Sequence, residues 1–245
     1  MGILYIVATP IGNLDDITIR AIKTLLTVDG IACEDTRRTG LLLKHLRKMY
    51  HTLVYDTQVN HSENKTPDLI SYYEQNEHQR IPQVINALKN GLHIALVSDA
   101  GTPAISDPGF KLVREALKEG IRVESIPGPS SVISALVSSG LPTDKFLFLG
   151  YPPQKPGHRK TFFENIRKSQ EYIKATCILF EAPHKLLKTL TEMQEVFGDM
   201  EVVIARELTK IHEEKRTEKI SEALLHFKKT EPRGECIVLF SISAQ

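Results

Sequence analysis

The sequence lacks the features that mark several common classes of protein. Its three cysteines, Cys33, Cys177 and Cys236, are far apart and form no CxxC pair, which argues against a zinc site or a disulfide framework. No apolar run approaches the ~18 to 20 residues of a membrane-spanning helix. The first residues, MGILYIVATPIGN, have neither the basic start nor the cleavage site of a secretory signal. We therefore expect a cytoplasmic protein with reduced thiols and no membrane or metal site.

The chain also lacks a large excess of charge of either sign. Lysine and arginine total 31 against 30 aspartates and glutamates, for a formal net charge of +1. Binding of RNA or DNA would therefore have to depend on local basic patches. The sequence contains no GxxxxGK[ST] loop, and no GxGxxG follows the first apolar run. These absences argue against the standard P-loop and dinucleotide sites.

Apolar runs alternate with helical patterns along the chain. The apolar runs at 3–8, 30–33 and 94–97 predict strands, as does the segment RVESI at 122–126, and the segments between several of them carry helical spacing. This alternation predicts an α/β fold with a mainly parallel sheet, which binds ligands beyond the carboxyl ends of its strands.

The character of the sequence changes in its second half. We place an N-terminal α/β domain at 1–126, a connecting segment at 127–145 and a C-terminal α/β domain at 146–245. The pattern is weak between residues 50 and 76, where 61–67 is typical of a flexible loop. The basic, proline-broken segment 151–160 predicts a loop that stays out of the core.

Three predicted strands end in loops of small residues and proline, with the sequences ATPIGN, SDAGTP and PGPSS. Such loops let backbone N–H groups approach a ligand, although each could also be an ordinary turn. Asp99 could accept hydrogen bonds from hydroxyl or amine groups, or could cap its own turn. Asp107 and Pro108 predict the N-cap and first position of the next helix. The loops favour a nucleoside-like ligand held by main-chain groups.

Clusters of carboxylates and guanidiniums also follow predicted strands. One is Glu34-Asp35-Thr36-Arg37-Arg38, and the other is Ala205-Arg206-Glu207-Leu208-Thr209-Lys210. Each could bind a phosphodiester and handle a proton, or could be a solvated turn of ion pairs. His184, at a predicted helix start after Glu181, could donate to an anion or be structural. The segment 151–160 is either a basic patch suited to phosphates and stacked bases or a solvated loop.

Six motifs together resemble one family. ATPIGNLDDIT, EDTRRT, LVSDAGTPAISDPG, IPGPSS, SGLPTDKF and ARELTK are similar to those of the ribosomal RNA small subunit methyltransferase I family, within the tetrapyrrole methylase superfamily. The resemblance runs nearly end to end. It implies a two-domain class III methyltransferase fold with S-adenosylmethionine in the interdomain cleft, and a homodimer. It also implies 2′-O-methylation of a cytidine ribose in the decoding region of small-subunit ribosomal RNA.

Two alternatives remain open on the same scaffold. One is methylation of a small molecule such as a tetrapyrrole precursor, which would need a wide apolar cleft and would have no use for the basic residues Arg37, Arg38 and 155–160. The other is a nucleotide-sensing module without chemistry. Neither alternative transfers a methyl group to RNA, and this separates both from the hypothesis of ribosomal RNA methylation.

The resemblance and the charged clusters suggest roles for individual residues. The expected cofactor contacts are Pro10, Ile11, Asp99, Gly101, Thr102, Ser130, Ser131, Val132, Phe180 and Ala205. The expected contacts to RNA are Arg37, Arg38, Lys155, Arg159, Lys160, Arg206 and Lys210. We expect Asp35 or Glu207 to act as general base. The chain departs from the family at FEAPHK, where Tyr-Glu-Ser-Pro-His-Arg is usual, so Phe180 offers no hydroxyl.

Overall fold

A computed structural model describes residues 1–54 and 66–242. The chain divides into two compact units, Met1–Ser130 and Ser131–Gln245, and this division falls inside the predicted connecting segment. Most of the predicted loop at 61–67 lies outside the described residues. Within the described ranges, no helix combines the length and the apolar composition that crossing a membrane requires.

The first unit contains a five-stranded parallel sheet with the order β3-β2-β4-β1-β5. Its strands are β1 (Ile3–Val7), β2 (Gly30–Cys33), β3 (Asp68–Ser71), β4 (Ile94–Val97) and β5 (Arg122–Ile126). Its helices are α1 (Ile19–Thr27), α2 (Thr36–Val54), α3 (Glu77–Lys89) and α4 (Phe110–Lys118). The parallel sheet that the alternating pattern predicts is therefore present in this unit.

Side chains of β4 show how the sheet is covered on both faces. Ala95 and Val97 pack in a cluster with residues of α1 and α2. Ile94 and Leu96 pack in a second cluster with residues of α3 and α4. Successive side chains of a strand point to opposite faces, so a continuous apolar run is the pattern that a doubly covered strand needs.

One helix of this unit begins elsewhere than predicted, and the start of another helix places two predicted site residues. Gly109 occupies the N-cap position of α4 with φ 140°, so Asp107 and Pro108 precede the helix and the predicted cap is wrong. A Cβ atom on Gly109 would lie 2.6 Å from Cδ2 of Leu96, which explains why glycine stands here. α2 begins at Thr36, so Arg37 and Arg38 lie in its first turn.

The second unit contains a mixed sheet with the order β6-β7-β10-β8-β9, in which only β6 and β7 are parallel. Its strands are β6 (Phe146–Phe148), β7 (Thr176–Glu181), β8 (Glu201–Arg206), β9 (Glu214–Lys219) and β10 (Cys236–Phe240). Its helices are α5 (Ser131–Val137), α6 (Pro156–Tyr172), α7 (Pro183–Phe197) and α8 (Ile220–Lys229). The sheet of this unit is mixed because β10 lies between β7 and β8 and runs antiparallel to both.

The basic segment 151–160 is not a loop throughout. α6 begins at Pro156, and Arg159 is buried, with 2% of its surface exposed. Its guanidinium is bound by both carboxylate oxygens of Glu192 on α7, with Nη2 donating to Oε1 over 2.8 Å and Nε donating to Oε2. The prediction that this segment stays out of the core is wrong for Arg159, because its charge is neutralised by a carboxylate.

The buried pair predicts a large loss of stability when one partner is removed. We expect Arg159→Met to lower the free energy of unfolding by about 3 kcal/mol in urea denaturation, at the low end for buried pairs, because the Glu192 side chain is 15% exposed and loses the guanidinium that neutralises it. The loss should shrink as the pH falls below the ordinary range of a glutamate, since hydrogen bonds from Arg159 hold the pKa of Glu192 below its usual value.

Lys160→Met is the matched control, because Lys160 is the exposed neighbour of Arg159 on the same helix. It should change the free energy of unfolding by no more than about 0.5 kcal/mol. Equal losses in the two variants would contradict the structural role of Arg159.

Candidate functional site

The small-residue loops of the first unit lie at one edge of its sheet. The segments after β1, β2, β4 and β5 all leave the carboxyl ends of parallel strands. This is the edge at which open α/β sheets bind ligands. The topology thus places the loops ATPIGN and SDAGTP and the cluster EDTRR together.

Backbone hydrogen bonds join the loops after β1 and β4. The N–H of Thr9 donates to the carbonyl of Gly101 over 2.9 Å, and the N–H of Gly101 donates back to Thr9 over 3.0 Å. Thr9 is buried, and its hydroxyl donates to the carbonyl of Ser98 over 3.3 Å. Gly101 has φ 80°, and a Cβ atom there would lie 3.2 Å from Cγ2 of Ile11. The structure therefore brings Gly101 and Ile11 together.

A third loop is tied to these two. The hydroxyl of Thr102 donates to the carbonyl of Pro129 over 3.1 Å, and Pro129 directly precedes Ser130. Thr9 and Ser98 were not among the predicted contacts. Thr9 and Ser98 contribute through hydrogen bonds that involve backbone groups. Their small size at the start of each loop was therefore the only sign of this role in the sequence.

Asp99 links the loop after β4 to the start of α2. Its Oδ1 accepts the N–H of Asp35 over 3.2 Å, and its Oδ2 accepts from Nη1 of Arg38 over 2.9 Å. Asp35 in turn accepts from the N–H of Arg37 over 2.8 Å and from its Nη2 over 2.9 Å. Asp99 therefore does more than cap its own turn, and the cluster EDTRR is organised by two carboxylate–guanidinium pairs.

These contacts give the carboxylates of the cluster different proton affinities. Hydrogen bonds from Arg37 lower the pKa of Asp35 to about 2, which makes it a weak proton acceptor at neutral pH. Burial, together with repulsion by Asp99, raises the pKa of the neighbouring Glu34 above its usual value. Glu34 is thus better suited than Asp35 to accept a proton. Sequence reasoning named this residue only as part of the cluster, because a raised pKa depends on burial.

A cavity of about 410 Å³ opens beside Asp99. It is lined by Thr9, Pro10, Leu14, Arg38, Thr39, Leu41, Leu42, His45, Ser98 and Asp99. Its volume lies in the range of small-molecule sites, and its lining combines apolar side chains with a few polar groups. Arg38, Leu42 and His45 stand four and three residues apart on α2, so helical spacing could have identified this wall from the sequence.

The predicted cofactor residues of the second unit are mainly apolar and packed. The ring of Phe180 lies 4.9 Å from that of Phe148 and 5.6 Å from that of Tyr151, between centroids. Ala205 is buried in β8 between β9 and β10, and Val132 is buried in α5. Ser131 is the first residue of α5. The contacts described here are apolar packing, and the cofactor roles of these positions are proposals.

Glu181, which follows Phe180, has a structural environment. It is buried and accepts hydrogen bonds from the hydroxyl of Thr189 and from the N–H of Ala182, the latter over 2.8 Å. These contacts join the end of β7 to α7. Glu181 therefore has a structural role at the junction of these two elements.

The second charged cluster is engaged in ion pairs of its own unit. Nε of Arg206 donates to Glu214, and Nη1 of Arg206 donates to the carbonyl of Arg233 over 3.4 Å. Nζ of Lys210 donates to Oε1 of Glu207 over 2.9 Å. A phosphate would have to compete with these carboxylates for both cations.

The predicted RNA contacts therefore differ in their availability. The side chains of Arg37 and Arg38 are 88% and 70% exposed, although each contacts a carboxylate. Lys155 and Lys160 are also exposed. Arg159 is not available, because it is buried against Glu192. Its prediction as an RNA contact is corrected on this ground.

The α/β fold of this chain, with a parallel sheet in the first unit and a mixed sheet in the second, has counterparts among solved structures. The fold is that of uroporphyrin-III C-methyltransferase from Thermus thermophilus, solved in complex with S-adenyl homocysteine, with a TM-score of 0.61 and 14% identity. The match covers 98% of each chain. The predicted class III methyltransferase fold is therefore confirmed.

The family follows from sequence comparison. The family model of tetrapyrrole (corrin/porphyrin) methylases matches residues 3–224, and the chain belongs to this family. A ribosomal RNA small subunit methyltransferase I of Thermotoga maritima is 46% identical over 98% of this chain and 99% of its own. One from Synechocystis is 45% identical over 98% of this chain and 79% of its own. The resemblance stated from the six motifs is confirmed.

The contact between Arg37 and Asp35 predicts an unusual titration. We expect the carboxyl carbon resonance of Asp35 in ¹³C-labelled protein to stay in its ionised position through the range in which an aspartate ordinarily titrates, because its pKa is held at about 2. The contact stabilises the fold above that ordinary range, and its contribution is lost as the pH falls toward about 2.

Arg37→Ala should return the midpoint toward 3.8, the ordinary value for this group. Lys44→Ala removes a positive charge from an exposed position further along α2 and should leave the midpoint unchanged. An ordinary midpoint in the unaltered chain would show that the contact does not form in solution.

Proposed function

We propose that this chain transfers a methyl group from S-adenosylmethionine to small-subunit ribosomal RNA, at the 2′-oxygen of a cytidine ribose in the decoding region. The observation that carries the proposal is the 46% identity to a ribosomal RNA small subunit methyltransferase I across almost the full length of both chains. The six sequence motifs support a ribose in the decoding region as the methyl acceptor, because the family that they resemble implies this target.

The first unit has a donor set that suits the cofactor. The cavity offers the Asp99 carboxylate, the loop backbone around Thr9 and Ser98, and an apolar wall from α2. Gly101 keeps the neighbouring backbone open, since a Cβ atom there would crowd Ile11. These groups match a ligand with an amine, hydroxyls and a flat apolar base. S-adenosylmethionine, once bound, supplies an activated methyl group, and Pro10, Ile11, Asp99, Gly101 and Thr102 would hold it.

The protein must then align the ribose oxygen and accept its proton. Orientation of bound reactants can account for up to roughly 7 to 11 kcal/mol of a barrier, and a general base adds typically ~10² to 10⁴ in rate. Among the candidates, Glu34 has the raised pKa, Asp35 is held by Arg37, and Glu207 is paired with Lys210. We therefore favour Glu34 as the proton acceptor over both predicted residues.

Local basic residues would hold the RNA. Arg37 is the most exposed cation of the first cluster, and Lys155 and Lys160 stand on the surface at the start of α6. Arg38, Arg206 and Lys210 would bind phosphate only by exchanging a carboxylate partner. A homodimer and a cytoplasmic location complete the proposal, on the strength of the family resemblance.

Methyl transfer to RNA is the direct test of the function. Incubation of the chain with S-adenosylmethionine carrying a tritiated methyl group and with small ribosomal subunits should label a ribose of the subunit RNA. Mapping by mass spectrometry should find it as a 2′-O-methylcytidine. Small-subunit ribosomal RNA without ribosomal proteins is tested as a second substrate beside the assembled subunit. Label in a tetrapyrrole precursor but in neither RNA sample would favour the small-molecule alternative, and binding without transfer would favour a sensing module.

Separate substitutions should divide cofactor binding from RNA binding. Asp99→Ala should weaken binding of S-adenosylhomocysteine in calorimetry, because it removes the carboxylate beside the cavity. Asp144→Ala removes an exposed carboxylate from the second unit and serves as its control. Unchanged affinity in Asp99→Ala would remove Asp99 from the cofactor site.

Arg37→Ala should leave the affinity for S-adenosylhomocysteine unchanged but lower the affinity for the RNA, measured by filter binding. It should also reduce the slope of log affinity against log salt by about 0.7, the value for one single-stranded phosphate contact. Lys118→Ala, which removes a cation paired with Glu115, should leave the slope as it is. An RNA titration indistinguishable from that of the unaltered chain would take Arg37 out of the interface.

A further inference from the structure

Behind the loop after β4, and outside the cavity, a buried carboxylate joins three elements of the first unit. Glu77 is the first residue of α3 and is 4% exposed. Its Oε1 accepts from the hydroxyl of Tyr72 over 3.1 Å and from the N–H of Gly109 over 3.2 Å. Its Oε2 lies 2.8 Å from Nζ of Lys111 on α4.

The chemistry of this cluster keeps Glu77 ionised and in place. Burial raises the pKa of Glu77, but hydrogen bonds from Lys111, Tyr72 and Gly109 outweigh it and hold the pKa below its usual value. Burial and the adjacent carboxylate raise the pKa of Tyr72, so its hydroxyl remains a donor. Tyr72 is itself anchored, since its N–H donates to the carbonyl of Cys33 at the end of β2 over 2.8 Å.

The bond to Gly109 supplies a missing helix cap. Gly109 has no side chain to accept the free N–H groups at the start of α4, and its φ of 140° sets the entry of the chain into that helix. The carboxylate of Glu77 accepts the N–H of the N-cap residue itself, as the N3 glutamate of a capping box does, but it comes from another helix. Its negative charge also suits the positive end of the helix dipole.

The segment that ends at Gly109 needs such an anchor. It begins at Ser98 and carries Asp99, Gly101 and Thr102, and its backbone also holds Ala104 and Ser106 at φ 67° and 62°. Positive φ in residues other than glycine is strained and persists only where the surroundings enforce it. One end of the segment is held by the Thr9–Gly101 hydrogen bonds and the other by Glu77.

We infer that Glu77 is a positioning residue for the cofactor loop: it holds residues 98–109 in the binding conformation from behind, without touching the ligand. The identity of the ligand rests on the proposed function, whereas the anchoring itself does not. Glu77 then controls the affinity for S-adenosylmethionine and its product, and has little effect on the rate of transfer once the site is filled.

A graded set of variants tests the inference. Glu77→Ala removes all three contacts, and we expect it to weaken S-adenosylhomocysteine binding about tenfold, the scale on which loss of a helix cap acts. Glu77→Gln keeps an oxygen for Tyr72 and Gly109 and should recover most of that loss. In methyl transfer, Glu77→Ala should raise the KM for S-adenosylmethionine by a similar factor and leave kcat within about twofold. Glu115→Gln, on the exposed side of α4, is the matched control for charge.

Hydrogen exchange separates this inference from the proposed function. In the ligand-free chain, Glu77→Ala should accelerate amide exchange in peptides covering 98–109 and leave peptides of α7 unchanged. Faster exchange confined to 98–109 supports the anchoring role of Glu77, whether or not the unaltered chain binds S-adenosylhomocysteine. Absence of that binding would overturn the proposed function alone. Unchanged exchange in 98–109 would overturn the inference. If the unaltered chain binds S-adenosylhomocysteine, an equal affinity in Glu77→Ala would overturn it as well. Exchange raised throughout the first unit would also overturn it, since Glu77 would then support the fold as a whole.

Discussion

The reciprocal hydrogen bonds between Thr9 and Gly101 are the constraint on which the candidate site depends. The parallel sheet brings the ends of β1 and β4 to the same edge, but it does not determine how the loops beyond those ends are arranged. The two bonds extend the pairing past the strands and set the backbone of both loops at a fixed separation. Asp99, Ile11 and Thr102 take their positions from this junction, and the cavity opens beside it.

Carboxylates organise the charge around this edge in two different ways. Asp35 and Asp99 contact guanidiniums that remain largely exposed, so a phosphate can exchange for them at modest cost. Glu77 of the same unit is buried with fixed partners and defines geometry instead. Exposure therefore separates the charges suited to binding from those that support the fold, although both kinds occur in similar sequence contexts.

Much of the first unit could be predicted because its buried strands are continuous apolar runs and its loops are rich in glycine and proline. The start of α4 could not, because its cap is a carboxylate from residue 77 that no local pattern reveals. β3 lies in a stretch with weak periodicity, and β9 has no apolar residue to signal a strand. The prediction that 151–160 stays out of the core failed for a related reason, because the burial of Arg159 depends on Glu192, which is distant in sequence. Contacts made by polar side chains across the fold are the part that composition and spacing do not encode.

The sequence of β9 also limits how copies of this chain can associate. β9 lies at one end of its sheet and reads EKRTEK, five of its six residues being charged. Arg216 is paired with Glu218 on this strand, and Glu214 with Arg206 on β8. A second copy adding a strand here would have to strip water from these charges. These charges therefore oppose the addition of a strand from a second copy at this edge of the sheet.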